Sequence, residues 1–113
     1  MCRIAGIWSD TDRAGLVRTC IRMRETLIAG GPDSSGIFVD HSAGLALGHC
    51  RLSVIDLSET GNQPMTTPDT RYSICYNGEV YNYGKLKSEL EELGFSFRGT
   101  SDTEAVLNAF SAW

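Results

Sequence analysis

The sequence predicts an α+β domain, and three observations point that way. Short apolar segments with strand-like composition recur along the chain. Two amphipathic stretches carry the three- and four-residue spacing of helices. Asn77-Gly78 separates two further strand-like runs, as a hairpin turn would. The 113 residues fit one domain with one core.

Residues 3–8 are apolar and lead the chain, so they read as a strand that ties the N-terminus into the fold. Between residues 14 and 28, Leu16, Val17, Cys20, Ile21, Met23, Leu27 and Ile28 form one stripe, with Arg18, Arg22, Arg24 and Glu25 off it. That is a helix, and Gly30, Gly31 and Pro32 stop it. Residues 36–39 and 45–51 read as paired strands, with Asp40, His41, Ser42 and Gly44 supplying turn chemistry. Residues 56–68 are polar and rich in Ser, Thr, Gly and Pro, a loop long enough to suggest functional use. Residues 72–76 and 79–81 read as the two arms of a hairpin around Asn77-Gly78. Tyr83, Leu86, Leu90 and Leu93 mark a second helix, ended by Gly94. Residues 95–98 read as a strand. Ser101 with Glu104 is a capping box opening a third helix, whose buried face is expected at Ala105, Val106, Ala109, Phe110 and Trp113. The chain stops on that helix, which suggests a piece of a longer protein.

Composition excludes several classes of function. Apolar residues make up 42% and charged residues 21%, a mix that argues for a packed core over disorder. The net charge is -4 and the basic residues are scattered, so phosphate-led binding of nucleic acid is not expected. No stretch approaches the roughly 20 apolar residues that span a bilayer. Asp10 and Asp12 interrupt the N-terminus too early for a signal peptide. A cytoplasmic location follows as an expectation, with Cys2, Cys20, Cys50 and Cys75 reduced. His49, Cys50 and Cys75 lack metal-ligand spacing, so no metal is expected.

Six residues have chemistry to offer, and each also has a plain structural use. Once Met1 is removed, Cys2 would carry a thiol and a free α-amine on one residue. Free α-amines titrate near ~7.7–8.0, so a neutral fraction is available as a base for the thiol. Cys2 is equally a small apolar residue at a strand start. The Asn77 side-chain amide and the Gly78 N–H suit an oxyanion, or a type I′ turn, and the two uses are compatible. Arg51 ends an apolar strand, where its planar fork suits a carboxylate or simply reaches solvent. Asp102 suits an ammonium, or complements a helix dipole. Glu79 suits the same ammonium, or is a solvated strand residue.

Taken together the segments resemble a known family. They are residues 1–7 (Met-Cys-Arg-Ile-Ala-Gly-Ile), Gly31-Pro32-Asp33-Ser34-Ser35-Gly36, Arg51-Leu52-Ser53-Val54-Ile55-Asp56-Leu57, Asn62-Gln63-Pro64-Met65, residues 76–82 (Tyr-Asn-Gly-Glu-Val-Tyr-Asn) and Ser101-Asp102-Thr103-Glu104. Their order and coverage resemble the class II, N-terminal nucleophile, glutamine amidotransferase domain, and most closely that of the asparagine synthetase group. The resemblance implies a layered α/β/β/α sandwich of antiparallel sheets, here shortened at its C-terminal side, with residues 1–113 an incomplete glutaminase domain. It implies that Cys2 attacks glutamine and forms a glutamyl thioester, and that Asn77 and Gly78 form the oxyanion hole. It places Arg51 on the α-carboxylate, Asp102 and Glu79 on the α-ammonium, and the backbone of Leu52, Ser53, Val54 and Ile55 along the pocket. No cofactor is expected in this chain. ATP and Mg are expected in a synthetase domain C-terminal to it, which would use the ammonia, with aspartate as the family's default acceptor. A homodimer of the full-length protein is compatible with the resemblance.

Two places in the chain depart from the family pattern. Ala29-Gly30 stands where the family reads His-Arg, and Arg3 stands where it favours a small residue. A long cation beside the reactive terminus is expected to crowd the site or disfavour the protonated amine. If these changes abolish turnover, the domain would bind glutamine or a partner domain without hydrolysing anything. An amidotransferase acting on another acceptor, such as a sugar, is a third reading.

Overall fold

The computed structural model describes residues 1–53 and 58–113. Strand β1 (Arg3–Trp8) is followed by helix α1 (Leu16–Glu25), a 3-10 turn at Ile28–Gly30, and strands β2 (Ser34–Asp40) and β3 (Leu45–Arg51). A second 3-10 turn at Glu59–Gly61 leads to the short strands β4 (Met65–Thr66) and β5 (Ser73–Ile74). Helices α2 (Tyr83–Glu92) and α3 (Asp102–Ala112) complete the chain.

The first sheet has the order β1-β3-β2 and is antiparallel throughout, with Arg3 opposite Cys50 and Ser35 opposite the same residue. Side chains alternate faces along a strand. Ala46 therefore turns to one side with Ile7 and Val39, where Leu16 and Cys20 of α1 cover it. Its neighbours Leu47 and His49 turn to the other side. That second face receives the segment leading into β4. A Cβ on Gly36 would collide with the Gln63 carbonyl oxygen and stand 3.0 Å from Pro64 Cδ, so only glycine lets the two layers close. The Gln63–Pro64 peptide is cis. Strands β4 and β5 pair antiparallel, α3 packs on both, and α2 packs on α3. The layers thus run helix, sheet, sheet, helix, which is the order the resemblance implies.

Several elements differ from expectation, each for a local reason. Helix α1 is shorter than its apolar stripe. At its end Thr26 Oγ1 donates back to the Met23 carbonyl at 2.7 Å and the chain tightens into the 3-10 turn. The loop over 56–68 contains the Glu59–Gly61 turn and β4, and residues 56 and 57 lie outside the described residues. No hairpin forms at Asn77-Gly78. Neither residue has the positive φ that a type I′ turn needs, and β5 pairs with β4 instead. The backbone there bonds elsewhere: Tyr76 N–H donates to Gln63 Oε1 at 2.6 Å, and Val80 N–H to Asp102 Oδ2 at 2.9 Å. Residues 79–81 are not a strand.

Residues 95–98 are not a strand either. The Glu104 carboxylate accepts Arg98 N–H at 2.9 Å and Gly99 N–H at 3.1 Å. Glu104 therefore does not close a capping box, and the Ser101 side chain makes no cap bond. On α3 the buried residues lie early, at Ala105 and Leu107 with polar Thr103 and Asn108, while Phe110 and Trp113 are 69% and 73% exposed. Gly94, at φ 92°, ends α2 as its sequence predicts, and Phe95 N–H closes on the Leu90 carbonyl at 2.9 Å. No helix among the described residues is long and apolar enough to cross a membrane.

Candidate active site

A cavity of about 400 Å³ opens where the start of β1, the end of β3, the chain after β5 and the start of α3 converge. Cys2, Arg51, Leu52, Asn77, Gly78, Glu79 and Asp102 all line it. Seven of the sequence-derived candidates, scattered over a hundred residues of chain, therefore share one concavity. Ser53 does not line it. Its N–H is taken by Asp33 Oδ2 at 2.7 Å, which fixes the chain just after β3. Val54 and Ile55 lie outside the described residues.

Strand β1 delivers Cys2 to the cavity by pairing with β3. The thiol is half-buried, with Leu52 N–H donating to Sγ at 3.4 Å and Sγ donating to the Leu52 carbonyl at 3.6 Å. The exit of β3 is held by the Gly31–Asp33 segment. A Cβ on Gly31 would strike the Cys50 carbonyl and stand 2.9 Å from Arg51 N, and Asp33 N–H donates to the Arg51 carbonyl at 3.0 Å. This gives the Gly31-Pro32-Asp33 motif a structural use: it fastens the residues beside Cys2.

Arg51 is only 7% exposed, and its Nη1 donates to the Ser58 carbonyl at 2.6 Å and to Asn62 Oδ1 at 2.9 Å. Asp102 is likewise 7% exposed and opens α3, where its Oδ2 accepts Val80 N–H. A buried cation and a buried anion thus face the same space. Asn77, Gly78 and Glu79 are exposed and form the rim, and the Tyr76 ring lies over Gly78.

The other cysteines are different in kind. Burial pushes the Cys75 thiol up to about 12, with a smaller contribution from Cys20. Burial also raises Cys20, against a smaller pull from Arg24. Both stay protonated and unreactive at neutral pH. His49 and Cys50 are consecutive on β3 and so face opposite sides of the sheet. Among the described residues no three His, Cys, Asp or Glu side chains gather closely enough to hold a metal ion. Sequence reasoning left Gln63 and Thr103 without a role, although both line the cavity and both fall inside quoted motifs. The available signal was a buried-type amide, Gln63, held between Asn62 and Pro64 in such a motif.

A family of glutamine amidotransferase domains matches residues 1–113, and the chain belongs to it. Among characterised proteins it is similar to asparagine synthetase [glutamine-hydrolyzing] 1 of Bacillus subtilis, at 38% identity over 97% of this chain and 17% of that protein. It is similar to asparagine synthetase [glutamine-hydrolyzing] 3 of the same organism, at 42% identity over 100% of this chain and 18% of that protein. Amidase chry2 of Gibberella zeae is 42% identical over 68% of this chain and 11% of its own length. The chain thus spans less than a fifth of the length of these relatives.

Proposed function

We propose that the domain hydrolyses glutamine to glutamate and ammonia, with Cys2 as nucleophile. The observation that carries this reading is one cavity in which the Cys2 thiol meets a buried cation, Arg51, and a buried anion, Asp102. Free glutamine is a zwitterion, so its non-reacting end needs one group of each sign. Arg51 takes the α-carboxylate through its planar fork, and Asp102 with Glu79 takes the α-ammonium. With Met1 removed, the Cys2 α-amine accepts the thiol proton and the thiolate attacks the side-chain amide carbon. The carbonyl electron pair moves onto oxygen, where Asn77 and the Gly78 N–H donate to it. Collapse expels ammonia, which carries away the proton held by the amine. Water then cleaves the thioester and releases glutamate. The Leu52 backbone flanks the same path.

In a chain as long as the Bacillus subtilis relatives, the ammonia would serve a synthetase portion C-terminal to this domain. ATP and Mg would act there, with aspartate as the acceptor; the relatives are named asparagine synthetases, which supports asparagine as the product. The match to an amidase supports a second reading, in which the same Cys2 chemistry serves another amide or acceptor. The test is glutamate release from glutamine by the purified chain after mass spectrometry establishes loss of Met1. Cys2→Ala should abolish the release, and retained release in that variant would remove Cys2 as the nucleophile.

A further inference from the structure

Asn62 and Gln63 lie between the Glu59–Gly61 turn and β4, and the mechanism above gives neither a task. Yet their two side-chain amides reach three walls of the cavity. Asn62 Oδ1 accepts from Arg51 Nη1 at 2.9 Å and from Ser34 Oγ at 2.8 Å. Gln63 Oε1 accepts Tyr76 N–H at 2.6 Å, and Gln63 Nε2 donates to Thr103 Oγ1 at 3.1 Å. Tyr76 immediately precedes Asn77, and Thr103 immediately follows Asp102. Gln63 and Thr103 are 7% and 3% exposed, so water does not compete for these bonds. The Gln63 carbonyl also sits against Gly36 of β2, which holds the backbone of the dipeptide on the first sheet.

We propose that Gln63 is a positioning residue that sets the distance between the Asn77-Gly78 wall and the Asp102 wall, while Asn62 aims Arg51. This rests on the reading that Cys2 hydrolyses glutamine in this cavity. The chemistry selects a primary amide. A primary amide accepts a backbone N–H and donates to a hydroxyl from one planar unit without a change of protonation, so the two walls are held at one fixed separation. The substrate bridges the same two walls, with its reacting amide at Asn77-Gly78 and its ammonium at Asp102. A displacement of about 1 Å between them costs on the order of a hundredfold in rate.

The test uses two variants and two readouts. Thr103→Val is isosteric and cuts only the link to the Asp102 side. It should raise the glutamine KM about tenfold with kcat within about twofold, because ground state and transition state both use the ammonium contact. Thr103→Ser should restore the KM. Gln63→Met cuts both links and should also lower kcat by at least about thirtyfold. KM and kcat within twofold of the parent in Thr103→Val and Gln63→Met would overturn the proposal. The second readout needs no catalysis. In 15N-labelled protein, Thr103→Val should move the amide resonance of Tyr76, whose N–H donates to the same Gln63 side chain that Thr103 holds. An unmoved resonance would overturn the proposal even if Gln63→Met fails to fold. A parent chain that releases no glutamate would instead count against the hydrolysis reading, and the resonance shift would still decide the coupling.

Discussion

Arg3 lies across Gly30: a Cβ on that glycine would stand 2.6 Å from Arg3 Nε and 2.8 Å from Cγ and Cζ. From there Nη1 donates to the Cys2 carbonyl at 3.0 Å and to the Met1 carbonyl at 2.9 Å. The two departures from the family pattern are therefore one structural change, because the side chain missing at position 30 makes room for the one at position 3. Arg3 shares its face of the sheet with Cys50, opposite to that of the Cys2 thiol, so it does not crowd the nucleophile. What it brings is charge.

Arg3 also tethers the terminus, and that contact yields the first prediction. Arg3→Ala removes the guanidinium that donates to the Cys2 carbonyl at 3.0 Å, so it should lower the rate of glutamine hydrolysis by about three- to tenfold through a less well positioned nucleophile. Gly30→Val should act in the same direction by expelling the Arg3 side chain from its place across Gly30. Equal rates in parent and both variants would show that the guanidinium does not position Cys2.

Two glycines should respond in opposite ways to alanine. At Gly36 the added Cβ meets the Gln63 backbone, which cannot swing aside, so Gly36→Ala should cost about 2–3 kcal/mol. Gly84 lies in the first turn of α2 with nothing within 4 Å of such a Cβ. Gly84→Ala should stabilise by about 0.5–1 kcal/mol through helix propensity. Urea unfolding midpoints at constant m-value separate the two. A neutral Gly36→Ala would mean that the layers are not in contact there.

Such contrasts show what was legible in the sequence and what was not. The long elements were readable, because α2 and α3 satisfy their own backbone and β1 and β3 are apolar runs that pair with each other. The residues that line the cavity were readable because they sit in ordered motifs. The failures fall where a tertiary bond outbids a local one. Asn77-Gly78 has the composition of a hairpin turn, but Gln63 and Asp102 claim the flanking N–H groups. Residues 95–98 have strand composition, but Glu104 claims the N–H groups of Arg98 and Gly99. Phe110 and Trp113 have core composition and stand exposed, the Phe110 and Tyr72 rings meeting edge to face at 5.1 Å. No local pattern encodes which distant side chain will arrive.

His49 predicts a pH dependence. It is fully buried, and neither ring nitrogen has a hydrogen-bond partner among the described residues. Burial lowers its pKa from the ordinary 6.5, against a smaller opposing pull from the Tyr76 backbone, and the Arg51 cation lowers it further. The folded protein thus holds His49 neutral where the unfolded chain takes up a proton. Stability from this group is complete above the ordinary value and is lost as pH falls below 6.5 toward the depressed folded value. One proton sets the steepest slope at about 1.4 kcal/mol per pH unit. Urea midpoints should fall between pH 6.5 and 5 in the parent and fall less in His49→Leu. Parallel curves would show that other groups govern this range.

Asp102→Asn tests the charge logic of the cavity without disturbing its wall. An Asn carbonyl oxygen still accepts the Val80 N–H that Asp102 Oδ2 accepts at 2.9 Å, so the link between α3 and the chain after Gly78 survives. Only the negative charge is lost. If that charge holds the glutamine ammonium, the contact is equally strong in ground state and transition state. The glutamine KM should then rise at least about tenfold with kcat nearly unchanged, because a charged hydrogen bond is worth about 1.5–3 kcal/mol. A fall in kcat at constant KM would instead place Asp102 in the chemical step. The analogue of glutamine lacking the α-amine sharpens the test. The parent should prefer glutamine to this analogue, and Asp102→Asn should lose most of that preference, because substrate and protein then lack the two halves of one contact. A preference that survives the substitution would assign the ammonium to another group, and Glu79 on the rim is the first to examine.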